Sequence, residues 1–89
     1  MDSVKKEICK DILALFREYG NVESINKCKS PLTSNIFNVG FVDSFSITSI
    51  IALVEERFNY SFSTKQLQGD EIRTIEGMAD ILIRQNLKY

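Results

Sequence analysis

Ile47, Ile50, Ile51, Val54 and Phe58 recur at i, i+3, i+4, i+7 and i+11, a spacing that gathers them on one face of an α-helix. A β-strand would scatter the same residues over both faces. The spacing predicts a helix over about Ser44–Phe58, despite its β-branched residues, with Ile47, Ile50, Val54 and Phe58 in the core. Asp43 and Ser44 are both residue types that cap helix N-termini. Glu55 and Glu56 near the C-terminal end oppose the helix dipole by only about a few tenths of a kcal/mol each, which burial of the apolar face outweighs.

Two further segments carry the same signal. Val4, Ile8, Ile12, Leu15, Phe16 and Tyr19 predict a helix over about Ser3–Tyr19, with Lys5, Lys6, Asp11, Arg17 and Glu18 largely on its other faces. Asp2 or Ser3 suits its start, and Gly20-Asn21 suits its end. The last helix is expected to begin near Thr74 as N-cap, with Ile75, Met78, Ala79 and Leu82 on one face and Asn86 near its end. Ile81 and Ile83 widen its apolar side. Between these, Ser63-Thr64-Lys65-Gln66 has capping-box spacing and predicts a single helical turn ended by Gly69. Phe58, Tyr60 and Phe62 alternate with polar residues. An isolated strand would have no partner there, so an extended connector is expected.

Asn21 to Val42 is the least regular stretch. Asn, Ser, Lys and Pro31 punctuate it, while Val22, Ile25, Leu32, Ile36, Phe37, Val39 and Phe41 recur through it. A long connection is expected, pinned to the core by those side chains, with a short helical turn near Val22–Asn26. A pair of short strands around Ile36–Val42 is the competing reading. The sum is an all-α four-helix bundle, three main helices plus one short helix with a long first loop. At 89 residues the chain is expected to form one domain, residues 1–89, because two independent cores rarely fit in this length.

Composition removes several functions. The chain has no histidine, which excludes Ser-His and Cys-His nucleophile pairs and His-ligated metal within it. Its two cysteines, Cys9 and Cys28, are too few for a disulfide framework or a closed zinc site and are expected to be reduced thiols. No apolar run reaches the roughly 20 residues of a membrane span, and the N-terminus lacks a signal h-region, so a cytoplasmic location is expected. A net charge of −1 gives no support to nucleic-acid binding. From Ser30 through Val54 the only ionisable charge is Asp43.

That charge stands beside the most informative residues. Gly40 allows a sharp turn before Asp43-Ser44-Phe45, which opens the amphipathic helix. Ser44 admits two readings. As a plain N-cap it would satisfy an orphan N–H, worth about 1 kcal/mol. As a tethering point, without any histidine base, it would be modified by another enzyme, and a phosphodiester there would meet free N–H groups and the positive end of the helix dipole.

Here the sequence resembles the acyl carrier protein family, including peptidyl and aminoacyl carriers. Asp43-Ser44-Phe45 is similar to the family's attachment motif, Asp-Ser followed by a large apolar residue. Phe37-Asn38-Val39-Gly40-Phe41-Val42 resembles the loop end of stand-alone carriers, Ile50–Phe58 their second helix, and Arg73-Thr74-Ile75-Glu76-Gly77-Met78-Ala79-Asp80-Ile81 the start of their last. The resemblance covers nearly the whole chain. It implies a phosphopantetheine arm on Ser44, installed from coenzyme A by a phosphopantetheinyl transferase, with a thioester-bound acyl or aminoacyl group on the arm's thiol. Asp43 would help position the serine and a magnesium ion in the transferase complex. Phe45, Thr48, Ser49, Ala52 and Glu56 would form the docking surface for the transferase, the acyl- or aminoacyl-loading ligase and downstream transferases or synthases. No catalytic residue is expected in the chain, and a monomer is expected.

The departures matter. Carriers of primary fatty-acid synthesis usually have carboxylates two and five positions after the serine. Here those positions hold Ser46 and Ser49, so steering toward basic partners is expected to be weak. This points to a specialised pathway: polyketide, nonribosomal peptide, cell-envelope or aminoacyl transfer. The main alternative is a small helical protein–protein interaction module in which Ser44 is only a cap. A small enzyme is a remote third reading, because neither cysteine has a candidate base.

Overall fold

The computed structural model describes residues 3–85, all in helices, turns and loops, with no β-strand among them. Five α-helices follow in order: α1 Ser3–Tyr19, α2 Val22–Lys27, α3 Ser46–Phe58, α4 Thr64–Gln68 and α5 Ile75–Gln85, with a 3₁₀ turn at Glu71–Arg73 before α5. The first and last long helices form where the apolar periodicity predicts them. The expected turn at Val22–Asn26 is one residue longer and is capped by Asn21, whose side chain accepts the N–H of Ser24 at 3.1 Å. The competing strand pair at Ile36–Val42 does not form. Asp2 and Asn86 lie outside the described residues.

α1 is the central element, packing against α3 on one side and α5 on another, with α2 folded back onto its end. Ile8, Cys9, Ile12 and Phe16 of α1 meet Ile50, Val54 and Phe58 of α3 and Ile75, Met78, Ala79 and Leu82 of α5 in one continuous core. Val4 and Tyr19, placed on the same face by periodicity, are 43% and 49% exposed, so the two ends of that face stay outside the core. Ile47 is only half-buried, so it edges the core instead of filling it. Lys5 bridges α1 to α5 through Asp80 at 2.9 Å, and Arg57 reaches Asp11 at 3.4 Å.

The long first connection is held by backbone hydrogen bonds as well as by apolar side chains. Its ends meet where the N–H of Asn21 donates to the carbonyl of Phe41 at 2.8 Å. Its middle is sewn to the far end of the chain. The N–H of Ile36 donates to the carbonyl of Arg73 at 2.8 Å, and the N–H of Glu76 donates to the carbonyl of Leu32 at 2.9 Å. Ile25, Ile36, Phe41 and Val42 are buried, so the loop roofs one end of the bundle, whereas Val22, Phe37 and Val39, expected to help pin it, are exposed.

After α3, Asn59 adopts the left-handed conformation at φ 52° and ends the helix. The connector then runs extended, as expected, with the Tyr60 and Phe62 rings edge-on at 5.3 Å. The capping box forms as its spacing predicts: the Ser63 hydroxyl accepts the N–H of Gln66, and the Gln66 side chain accepts the N–H of Ser63. Thr74 caps α5 by accepting the N–H of Gly77 at 2.9 Å.

Candidate functional site

The chain reaches Ser44 through a succession of tight turns. Asn35 Oδ1 accepts the N–H groups of Phe37 and Asn38 at 3.0 and 3.2 Å, and the N–H of Gly40 donates back to the carbonyl of Phe37 at 3.2 Å. Gly40 sits at φ +79°, in the left-handed region that favours glycine. Phe41 and Val42 then dive into the core, and Asp43, Ser44 and Phe45 emerge exposed.

Regular helix begins at Ser46, two residues later than expected, and the residue before it, Phe45, supplies no side-chain cap. Asp43 caps it. Its carbonyl accepts the N–H of Ile47 at 3.1 Å, and its Oδ1 accepts the N–H groups of Phe45 and Ser46 at 3.0 and 2.8 Å. The Ser46 hydroxyl donates to the same Oδ1 at 3.1 Å and accepts the N–H of Asp43 at 3.1 Å, which closes the box from the other side. The N–H of Ser46, then its hydroxyl, then the N–H of Phe45 hold the Asp43 carboxyl below the ordinary carboxylate range.

This geometry corrects two expectations. Ser44 is not the N-cap, so the plain structural role assigned to it in the interaction-module reading is filled by Asp43. Nor is the mouth of α3 lined with free donors, because the N–H groups of Phe45, Ser46 and Ile47 are already committed to Asp43. What a negatively charged group on Ser44 would meet is the dipole end of the helix.

Three serines lie close together here, and their surroundings differ. The hydroxyl of Ser46 is fully engaged with Asp43. Ser49 is exposed on the second turn of α3, past the helix mouth. Ser44 is exposed at the mouth, and its hydroxyl has no hydrogen-bond partner among the described residues. A group esterified there would displace no existing contact and meet no wall.

The five residues expected to form the docking surface are all exposed. Thr48, Ser49, Ala52 and Glu56 follow one side of α3, and Phe45, at 87% exposure, stands at its mouth. A groove of about 430 Å³ runs along the neighbouring side, between Ile47 and Ile51 of α3, Ile36 of the loop, and Leu67 and Ile72 beyond. Thr48 and Ala52 line it too, so the groove and the exposed side of α3 are contiguous. Sequence reasoning missed the groove. Its only trace was Leu67 and Ile72, two large apolar residues in an otherwise polar stretch with no periodic place. Among the described residues no cluster of potential metal ligands occurs.

The all-helical bundle with its long first loop is the architecture of small helical carriers, a class of protein that presents a hydroxyl for other enzymes to act on. The comparison with known families agrees. Residues 10–82 match the family model for the phosphopantetheine attachment site, and the chain belongs to that family. Its members are non-catalytic carriers that bear phosphopantetheine covalently on a serine and work with transferase and synthase partners. Searches of curated proteins and of solved structures returned no match to the chain. No helix among the described residues is long and apolar enough to cross a membrane.

Proposed function

We propose that Ser44 is the serine that bears the arm, within a single carrier domain spanning residues 1–89. The observation that carries this reading is the division of labour at the mouth of α3: Asp43 and Ser46 hold the helix, leaving the Ser44 hydroxyl exposed and unengaged. In the modification, Ser44 Oγ forms a bond to the pantetheine-side phosphorus of coenzyme A. Adenosine 3′,5′-bisphosphate leaves, and the hydroxyl proton passes to the transferase. The arm supplies a terminal thiol, which carries an acyl or aminoacyl group as a thioester.

The docking role belongs in this reading to Phe45, Thr48, Ser49, Ala52 and Glu56, the exposed strip that starts beside the attachment point. Only Glu56 in that strip is charged, which supports recognition by shape and apolar contact over electrostatic steering. The same neutrality favours a dedicated pathway over primary fatty-acid synthesis: polyketide, nonribosomal peptide, cell-envelope or aminoacyl transfer, in the cytoplasm. The partners are then a phosphopantetheinyl transferase, a loading ligase and downstream transferases or synthases, served by a monomeric carrier.

Incubation with coenzyme A, Mg²⁺ and a broad-specificity transferase tests the assignment. Intact mass should rise by one phosphopantetheine in the natural chain and stay unchanged in Ser44→Ala. Modification of Ser44→Ala would move the arm to another serine. Failure of the natural chain with several transferases would favour the interaction-module reading.

A further inference from the structure

We infer that Ser46 is a positioning residue for the modification of Ser44, acting through the carboxylate of Asp43. The inference rests on Ser44 being the attachment serine. The two oxygens of Asp43 are used unequally. Oδ1 accepts three hydrogen bonds, two from the N–H and hydroxyl of Ser46 and one from the N–H of Phe45. Oδ2 has no partner among the described residues, and Asp43 is exposed. A carboxylate held by one oxygen and open at the other is fixed in direction yet still able to meet a cationic group brought by a transferase.

Ser46 supplies most of that fixation. Its hydroxyl acts in both directions, donating to Oδ1 and accepting the N–H of Asp43, so it ties the side chain and the backbone of the same residue. Without the hydroxyl, Oδ1 keeps its two N–H donors, but the link back to the Asp43 backbone is lost and the carboxylate gains rotational freedom about its own Cα–Cβ bond. Ser44 sits directly after this residue, so the orientation of the hydroxyl relative to the free carboxylate oxygen depends on the same ring of bonds. A glutamate or aspartate in place of Ser46 could not donate that bond at neutral pH and would set a second negative charge against Asp43.

The test uses the full chain with a phosphopantetheinyl transferase, coenzyme A and Mg²⁺. Ser46→Ala is expected to lower kcat for modification by about tenfold with KM for the carrier little changed, the loss of a charge-assisted bond felt in the reacting complex. Ser46→Thr, which keeps the hydroxyl, is expected to stay within about threefold of the natural chain. A purely structural cap would lower thermal stability in Ser46→Ala and leave kcat intact well below the melting temperature. NMR titration of the Asp43 carboxyl gives a readout apart from turnover: its pKa should rise toward the ordinary value in Ser46→Ala and return in Ser46→Thr. Unchanged kcat in Ser46→Ala while Asp43→Asn is slowed would overturn the inference, as would equal losses in the Ala and Thr variants. Modification of Ser44→Ala would instead overturn the attachment site itself.

Discussion

The backbone carbonyl of Glu71 packs directly against the α-carbon of Gly77, where a methyl group would overlap it. The contact presses the 3₁₀ turn onto the first turn of α5, and the bidentate Arg84–Glu71 ion pair ties the same turn to the helix further along. In an isolated helix, alanine would be better than glycine by about 1 kcal/mol. Here the overlap involves backbone and cannot be relieved by a rotamer change, so Gly77→Ala should lose roughly 2–3 kcal/mol in urea unfolding. Gly69 has only ordinary contacts at 3.5 Å and beyond, and it sits at φ −84°. Gly69→Ala should be neutral or gain up to about 1 kcal/mol.

Two phenylalanines of the same region should behave oppositely. Phe58 is buried in the core, and Phe58→Ala should cost about 3–5 kcal/mol in equilibrium unfolding. Phe45 is largely in solvent, so Phe45→Ala should alter stability by less than about 0.5 kcal/mol. A loss of transferase affinity in Phe45→Ala at unchanged stability would be the signature of a docking residue.

Acid should loosen the mouth of α3 and the 3₁₀ turn. Asp43, through its bonds from Ser46 and Phe45, and Glu71, through Arg84, both have carboxyl pKa values below their ordinary ones. A carboxyl depressed in the folded state adds stability that is complete above its unfolded pKa, about 4, and lost as pH falls through the folded value. Unfolding midpoints should therefore be flat from about pH 7 to 5 and fall below about pH 4. Asp43→Asn should shrink that fall, and a profile identical to the natural chain would sink the assignment.

The two thiols should differ in reactivity. Burial pushes the Cys9 thiol up and shields it inside α1, whereas Cys28 is half-buried at the loop surface, 3.4 Å from the Ser34 hydroxyl. Iodoacetamide under native conditions should label Cys28 well before Cys9, as read by peptide mass. Comparable rates at both would mean that α1 opens readily.

Partner binding should depend weakly on salt. Along the exposed strip only Glu56 carries charge, so affinity for the transferase should change by less than about threefold between low and physiological ionic strength. A steep loss would show that charges elsewhere on the surface steer the encounter.

Helices were the most legible part of the fold because their signal is local. Ile8, Ile12 and Phe16, or Ile50, Val54 and Phe58, announce a buried face by spacing alone. The Ser63–Gln66 box was readable for the same reason, since both partners lie within one turn. The turn at Glu71–Arg73 left no such pattern. The loop residues Ile36 and Phe41 could be marked as core, but not given a conformation, because their backbone partners are Arg73 and Asn21, far away along the chain.

The sequence by itself determined the helical segments, most of the buried residues and the Asp43-Ser44-Phe45 motif that points to a carrier. Spacing and side-chain chemistry suffice for the first two, whereas the motif points to a carrier through its resemblance to a known family. The tertiary structure decided that Asp43 and not Ser44 caps α3, that the long loop is sewn to the far end of the chain, and that a groove lies beside the exposed side of α3. Each depends on which of several equivalent donors and acceptors meet in space. Two residues of equal capping aptitude stand side by side at 43 and 44, and only the path set by Gly40, Phe41 and Val42 turns one of them into the helix and leaves the other in solvent.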